Sequence, residues 1–356
     1  MRNILFAMSD VYDSNTEVEW PNDMSEETIV GGLILNRIVG IAYEKIPFGR
    51  LNKENRKVLS VIKQYYENEY DCFVDKLKFV SGLLVNAAFD YAFLKGAFLN
   101  PFVYKRGQRI SNDIDILVNS EDVCSIQDCF FKAGFIQGHC DESGHIIPAS
   151  RREVVNSRLN NGETIPFLRY YNNELVEVDL NFSLDFKAYD SECNVSSMLK
   201  NTCEFRDGNM TIRTLSLTDF LIHLCCHLYK EASTYDWLIN RRDLMLYKFC
   251  DINMFVHKYG DIKFFEKLYM KIIQYGVQKE IYYSLLFGAE IYPGLLNIPG
   301  YSKLLDYIKP ESIEYLHEIV YPKEKKVYSY NHSFIEWFEC ANRVVQLTEK
   351  ECYRNM

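Results

Sequence analysis

No stretch of this 356-residue chain approaches the ~18–20 consecutive apolar residues that a membrane-spanning helix needs. The amino terminus follows suit: Met1-Arg2-Asn3-Ile4-Leu5-Phe6 runs into Ser9-Asp10, too short an apolar stretch for a secretory leader. Eleven cysteines, an odd number with no Cys-x-x-Cys pair, argue against a structural zinc site and fit reduced thiols in a cytoplasm. Positive charge is not in excess. A formal net charge of −9 argues against a general nucleic-acid coat or an anionic membrane surface as partner. Neither a Gly-x-x-x-x-Gly-Lys-Ser/Thr loop nor a kinase catalytic loop occurs, which counts against the common phosphate-transferring kinases. His223 and His227 stand four apart on one helical face, but Leu224 occupies the position where a zinc peptidase needs Glu. Internal repeats and low-complexity segments are also missing.

What remains is an ordinary globular composition, 48% hydrophobic and 25% charged, long enough for two or three domains and a large core. Aromatic residues reach 15% and, scattered through helical stretches, read first as core and packing surface.

The informative stretch is Ser111-Asn112-Asp113-Ile114-Asp115-Ile116-Leu117-Val118. A run this rich in β-branched residues predicts a strand, in which alternate side chains share a face. Asp113 and Asp115 therefore project together while Ile114 and Ile116 face a core. Paired carboxylates repel each other and persist most easily around a divalent cation, the chemistry of a Mg²⁺ site that also takes substrate phosphates. An exposed strand start with two solvated acids has the same spacing.

Around this stretch the pattern is helical, then mixed, then helical again. Ser25 before Glu26-Glu27 predicts a helix start. A second helix is expected from Asn52 or Asn55, and a third from Asp75 to Phe98, ended by Asn100-Pro101. After the Asp strand, Ser120-Glu121-Asp122 caps a helix that Gly134 closes, followed by a loop through Gly138, Gly144 and Pro148 and a short basic helix with Arg151, Arg152 and Arg158. Ile165–Tyr171 and Leu175–Leu180 read as a hairpin turning at Asn172-Asn173. On its second strand Glu177, Asp179 and Asn181 share one face. Packed beside the first strand, Asp179 completes a three-carboxylate cluster. Glu177 is the alternative ligand, since one sequence does not set strand register. Thr211–Arg213 reads as an edge strand and Ser216–Asp219 as a helix start. The tail from Pro310 carries Phe334, Trp337 and Phe338 as a candidate docking face.

The order helix, Lys95-Gly96-Ala97, basic loop (Lys105, Arg106, Arg109), Arg-x-Ser-x-Asp-x-Asp, apolar strand resembles the polymerase-β-like nucleotidyltransferases. More narrowly it is similar to the bacterial family known only as uncharacterised nucleotidyltransferases, over roughly residues 75–250. The resemblance implies an α+β fold: a small mixed β-sheet nucleotidyltransferase core over 75–215, an N-terminal helical region over 1–74 and a C-terminal helical domain over 216–356. It implies Mg²⁺ (or Mn²⁺) held by Asp113, Asp115 and Asp179, and a nucleoside triphosphate such as ATP held by Lys95, Gly96, Ala97, Arg109 and Ser111. Ala97 departs from the usual Gly-Ser turn, and Asn181 stands where the family often has histidine. The family also carries a histidine matching His227 and an aspartate matching Asp243, a pair that would act on the substrate side or fix helix packing. Lys95 at a helix end and Arg109 in a solvated loop have bland readings as well.

The expected activity is transfer of a nucleoside monophosphate to an acceptor with release of pyrophosphate. The acceptor, a small molecule, a peptide or a protein, is not legible, and a large RNA is the least attractive given the acidic chain. A catalytically silent relative that binds a nucleotide or a partner protein, and a helical interaction protein with an ornamental Asp pair, are the competing readings.

Overall fold

The computed structural model describes residues 3–13, 18–21, 24–160, 162–183 and 195–350, and its class is α+β. The chain divides into two compact units. One comprises Val18–Asp185 and Glu192–Phe220; the other comprises Met1–Glu17, Phe186–Ser191 and Leu221–Met356. No helix among the described residues is long and apolar enough to cross a membrane.

Helix α1 (Ile4–Ser9) belongs to the second unit, and the first opens with α2 (Glu26–Leu35), α3 (Val39–Ala42) and α4 (Lys53–Leu84). Ser25 caps α2 by accepting from the Thr28 N–H, and Asn52 caps α4 by accepting from the Asn55 N–H. The two helices expected from Asn52 and from Asp75 are one. No Gly or Pro interrupts residues 53–80, and Tyr66, Phe73, Leu77, Val80 and Leu84 form a single buried stripe at spacings of three, four and seven. The expected helix to Phe98 instead stops at Leu84. Tyr91–Phe93 is strand β1, and Gly96–Phe102 is a new short helix, α5. All three β1 residues are buried, and a short apolar run buried on both faces has no periodicity that separates strand from helix. Pro101 lies inside α5 rather than ending it.

The chain continues through β2 (Ile114–Val118), α6 (Val123–Lys132), β3 (Ile136–Cys140), β4 (Ile146–Pro148) and α7 (Arg151–Asn160). Then come β5 (Phe167–Tyr171), β6 (Glu174–Asn181), α8 (Val195–Leu199), β7 (Thr202–Asp207) and β8 (Met210–Leu215). These strands form one sheet in the order β4-β3-β5-β6-β2-β1-β8-β7. The β2–β6 and β1–β8 pairs are parallel, the other pairs antiparallel. The β3–β4 hairpin replaces the loop expected around Gly138. Strand β8 is not an edge: β7, too polar to signal a strand, pairs outside it through a turn at Gly208.

Ile114, Ile116 and Val118 of β2 and Val176, Val178 and Leu180 of β6 face a common core with Phe73, Leu77 and Leu84 of α4 and Ile126 and Phe130 of α6. Full burial of one such side chain is worth about 1.5–3 kcal/mol. That face therefore fixes the sheet, and strand alternation leaves the intervening carboxylates on the other side.

In the second unit α9 (Leu217–Ala232), which begins in the first, is followed by α10 (Tyr235–Ile239), α11 (Leu246–Tyr259), α12 (Ile262–Tyr275), α13 (Gln278–Ile291) and α14 (Tyr301–Ile308). Gly276, in the left-handed region, ends α12. A small sheet of β9 (Glu318–Tyr321), β10 (Lys326–Ser329) and β11 (Thr348–Glu349) flanks α15 (Phe334–Glu339). The expected docking face on α15 is core. Phe334 and Trp337 are buried, Trp337 stacks on Tyr330 at 3.9 Å between centroids, and Phe334 stacks on Phe287 at 4.0 Å. The last residues of the tail, 351–356, lie outside the described residues.

Candidate functional site

The site grows from the β1–β2 ladder. Phe93 pairs with Ile116, and the Leu94 N–H donates to the Asp115 carbonyl at 2.9 Å, which carries the pairing one residue further. The chain then turns sharply at Lys95, whose backbone stands at φ 40°, ψ −119°. L-residues avoid that region at a cost of about 1–3 kcal/mol, and glycine normally fills it. The turn returns the lysine side chain to the start of β2, where Nζ donates to Asp115 Oδ1 at 2.8 Å.

Across β2 from β1 lies β6. The parallel register sets Asp115 beside Asp179 and Ile116 beside Leu180. Asp113 sits just before the first residue of β2. One carboxylate oxygen from each of Asp113, Asp115 and Asp179 lies within 4.8 Å of the other two. Glu177 is two residues before Asp179 on the same face, outside this trio but near enough to feel it.

The electrostatics agree with crowding. Asp179 is pushed up to about 8, by burial first and then by Asp115, Asp113, Glu177 and Glu163. Burial and then Asp115 raise Asp113, while Lys95 and Arg109 pull it down. Glu177 is raised by burial, Asp113 and Asp115. Asp115 itself is only 4% exposed, and Asp113 and Asp179 are half-buried, so water screens the trio weakly. Partly buried, like-charged, all-oxygen donors that converge fit a small hard divalent cation, Mg²⁺ or Mn²⁺, which favours their ionised forms.

The remaining residues named from sequence around the turn take up bracing positions. Gly96 lies against Ser111: a Cβ on it would stand 2.7 Å from Ser111 Cβ and 2.9 Å from Arg109 Nη1. Glycine is required there by close approach. Ala97 faces the hydrophobic core, and its N–H donates to the Leu94 carbonyl at 3.1 Å, closing the turn. Arg109 is buried. Its Nη1 donates to Asn100 Oδ1 at 3.0 Å and to Ser111 Oγ, tying the basic loop to α5. Lys105 and Arg106 are exposed, and Arg106 pairs with Asp71 and Glu67 of α4.

Two residues here escaped the sequence reading. Asn100 is fully buried under the site, with its Nδ2 unpartnered among the described residues, and the sequence offered it only as a helix breaker before Pro101. Glu163, bridged to Asn181 by backbone pairing, adds negative charge near Asp179. No local pattern announces it.

His227 and Asp243 lie in the second unit, and each has another partner. His227 Nε2 is 3.5 Å from Glu231 Oε1, and Glu231 is ion-paired with Lys248. Asp243, fully buried, accepts from Arg343 Nη2 at 2.7 Å. The His223 and His227 rings stack at 6.1 Å.

Among curated proteins none matches this sequence. Among solved structures, an antigenic nucleotidyltransferase-like protein from Paracoccidioides brasiliensis is 15% identical, covering 65% of this chain and 93% of that one. Its TM-score of 0.38 is too low to say anything of the fold. The model of one protein family matches residues 27–293, a span holding the Lys95 turn, the three aspartates, His227 and Asp243. The chain belongs to the family of uncharacterised nucleotidyltransferases.

Proposed function

We propose that this protein is a Mg²⁺- or Mn²⁺-dependent nucleotidyltransferase. It moves a nucleoside monophosphate from a nucleoside triphosphate to an acceptor group on a small molecule, a peptide or a protein, and releases pyrophosphate. The convergence of Asp113, Asp115 and Asp179 within 4.8 Å, in a chain of this family, carries the reading.

Asp113, Asp115 and Asp179 would hold the metal, which when bound supplies positive charge to phosphate oxygens and makes an acceptor oxygen more acidic. Transfer at phosphorus asks little covalent work of the protein, so positioning and charge carry the rate. Lys95 presents an ammonium at the same carboxylates and reaches toward solvent, where it meets a phosphate. Arg109, Asn100 and Ser111 hold the turn that aims it. Gly96 and Ala97 keep the backbone close beneath, and Glu177 lines the same face of β6. The nine described cysteines are free thiols, in keeping with a cytoplasmic setting.

The test is thermal stability with each nucleoside triphosphate, with and without Mn²⁺, on the wild type and on Asp113→Asn/Asp115→Asn. Ligands that bind the native state raise its melting point by mass action, about 2.7 kcal/mol at a hundredfold excess over Kd. A shift that needs both nucleotide and metal and disappears in the double variant is expected, and it names the donor base. The absence of any shift with any nucleotide rejects the proposal.

A further inference from the structure

The acidic trio has a resident cation beside it. Lys95 Nζ stands 2.8 Å from Asp115 Oδ1, and Asp115 belongs to the three carboxylates whose oxygens converge. The carboxylate side chain is 5% exposed and the lysine side chain 26%, so the ammonium approaches from the solvent side onto a buried charge. Its backbone is held in a region where glycine is the undemanding choice, and lysine stands there nonetheless. The neighbouring Leu94 N–H is tied to the Asp115 carbonyl, so this backbone is anchored beside the carboxylate it serves.

A lysine ammonium and a divalent metal at Asp115 exclude one another in part. Both draw on the charge of the same carboxylate, and a +1 and a +2 charge a few ångströms apart repel strongly at low local dielectric. The same ammonium, partly exposed beside the trio, is also a cation that an entering triphosphate would attract. From these geometries we infer that Lys95 is a placeholder counter-ion. Without nucleotide it neutralises Asp115 and holds metal affinity down. A polyphosphate chain draws the ammonium away, frees Asp115, and so makes nucleotide and metal bind cooperatively. Lys95 is thereby a positioning residue that couples the two ligands and disfavours a stable metal-only complex. The inference rests on the nucleotidyltransferase reading and deepens it.

The experiment measures Mn²⁺ binding by the loss of the free-ion electron-spin-resonance signal, on the full chain and without nucleotide. The proteins are wild type, Lys95→Met, Lys95→Gly, Lys95→Arg and, as a control for net charge alone, Lys105→Met. Lys95→Gly accommodates the backbone turn without strain, so loss of the charge is tested even where Lys95→Met folds poorly. Both neutral variants should bind Mn²⁺ about tenfold or more tightly than wild type, as expected when a contact charge is removed at low dielectric. Lys95→Arg and Lys105→Met should match wild type, and Asp115→Asn added to Lys95→Gly should abolish the gain. Equal or weaker Mn²⁺ binding by the neutral Lys95 variants overturns the placeholder role while leaving the nucleotidyltransferase reading intact. If no variant binds Mn²⁺ at millimolar concentration, the metal-site reading fails, and the placeholder with it.

Discussion

Asp179 carries a proton at neutral pH when no cation is bound, because its carboxyl is held up at about 8 by burial and by four acidic neighbours. In the unfolded chain the same group titrates near ~3.9. Between those values the folded state keeps a proton that the unfolded state has lost, so stability falls as pH rises through the window. The slope for one proton is at most about 1.4 kcal/mol per pH unit. Melting temperatures in a chelator should accordingly drop from about pH 6 to about pH 8 and level off above it. Asp179→Asn should flatten that drop, and millimolar Mn²⁺ should remove it by favouring the ionised trio. A melting temperature that rises across the same range in chelator contradicts the assignment. Of this behaviour the sequence showed the three acid identities. It did not show Glu163 beside them, whose place depends on a backbone pairing to Asn181 that no local pattern encodes.

At the scale of the element, the β5–β6 hairpin decides whether Asp179 arrives at all. Its turn residues Asn172 and Asn173 both have positive φ, 50° and 64°, which matches the right-handed twist of the flanking strands. Asparagine tolerates that region and β-branched residues do not. Asn173→Val should cost about 1–2 kcal/mol in urea denaturation, while Asn173→Gly should be neutral or stabilising. If valine is as well tolerated as glycine, the turn is not what sets the register. This hairpin was readable in advance because turn chemistry and alternation are both local. Strand β1 was not, since Tyr91, Ala92 and Phe93 are buried on both sides and carry no alternation to read. Nor was the continuity of α4, where two candidate starts at Asn52 and Asp75 fall within a single buried stripe.

For the molecule as a whole, the second unit is closed by a contact between distant parts of the chain. Arg343, in the short turn after α15, meets fully buried Asp243 a hundred residues earlier, and its guanidinium also lies over Trp337 at 5.8 Å. Removing one partner of a buried pair strands the other, at a cost of about 3–5 kcal/mol. Asp243→Ala should therefore lower the unfolding free energy from urea denaturation by that amount, and Asp243→Ala/Arg343→Met should recover a large part of it. Recovery distinguishes a packing role for Asp243 from a substrate-side one, which the double variant would not restore in an activity assay.

The amino-acid sequence by itself determined the periodic features: the capped helix at Ser25 and a second helix starting at Asn52 or Asn55, the Asn172-Asn173 turn, and the alternation that puts Ile114, Ile116, Val176 and Val178 on one face and the carboxylates on the other. These follow from interactions within a few residues. The tertiary structure alone decided which strands lie side by side. It set Asp115 beside Asp179 rather than Glu177, put β8 inside the sheet, turned Ala97 into the core, gave Arg109 to Asn100 and Ser111, and bent Lys95 back onto Asp115. Pairing register is a non-local choice, and a slip of one residue would turn every side chain of β6 to the opposite face. Only burial of the apolar face against α4 and α6 selects among the alternatives.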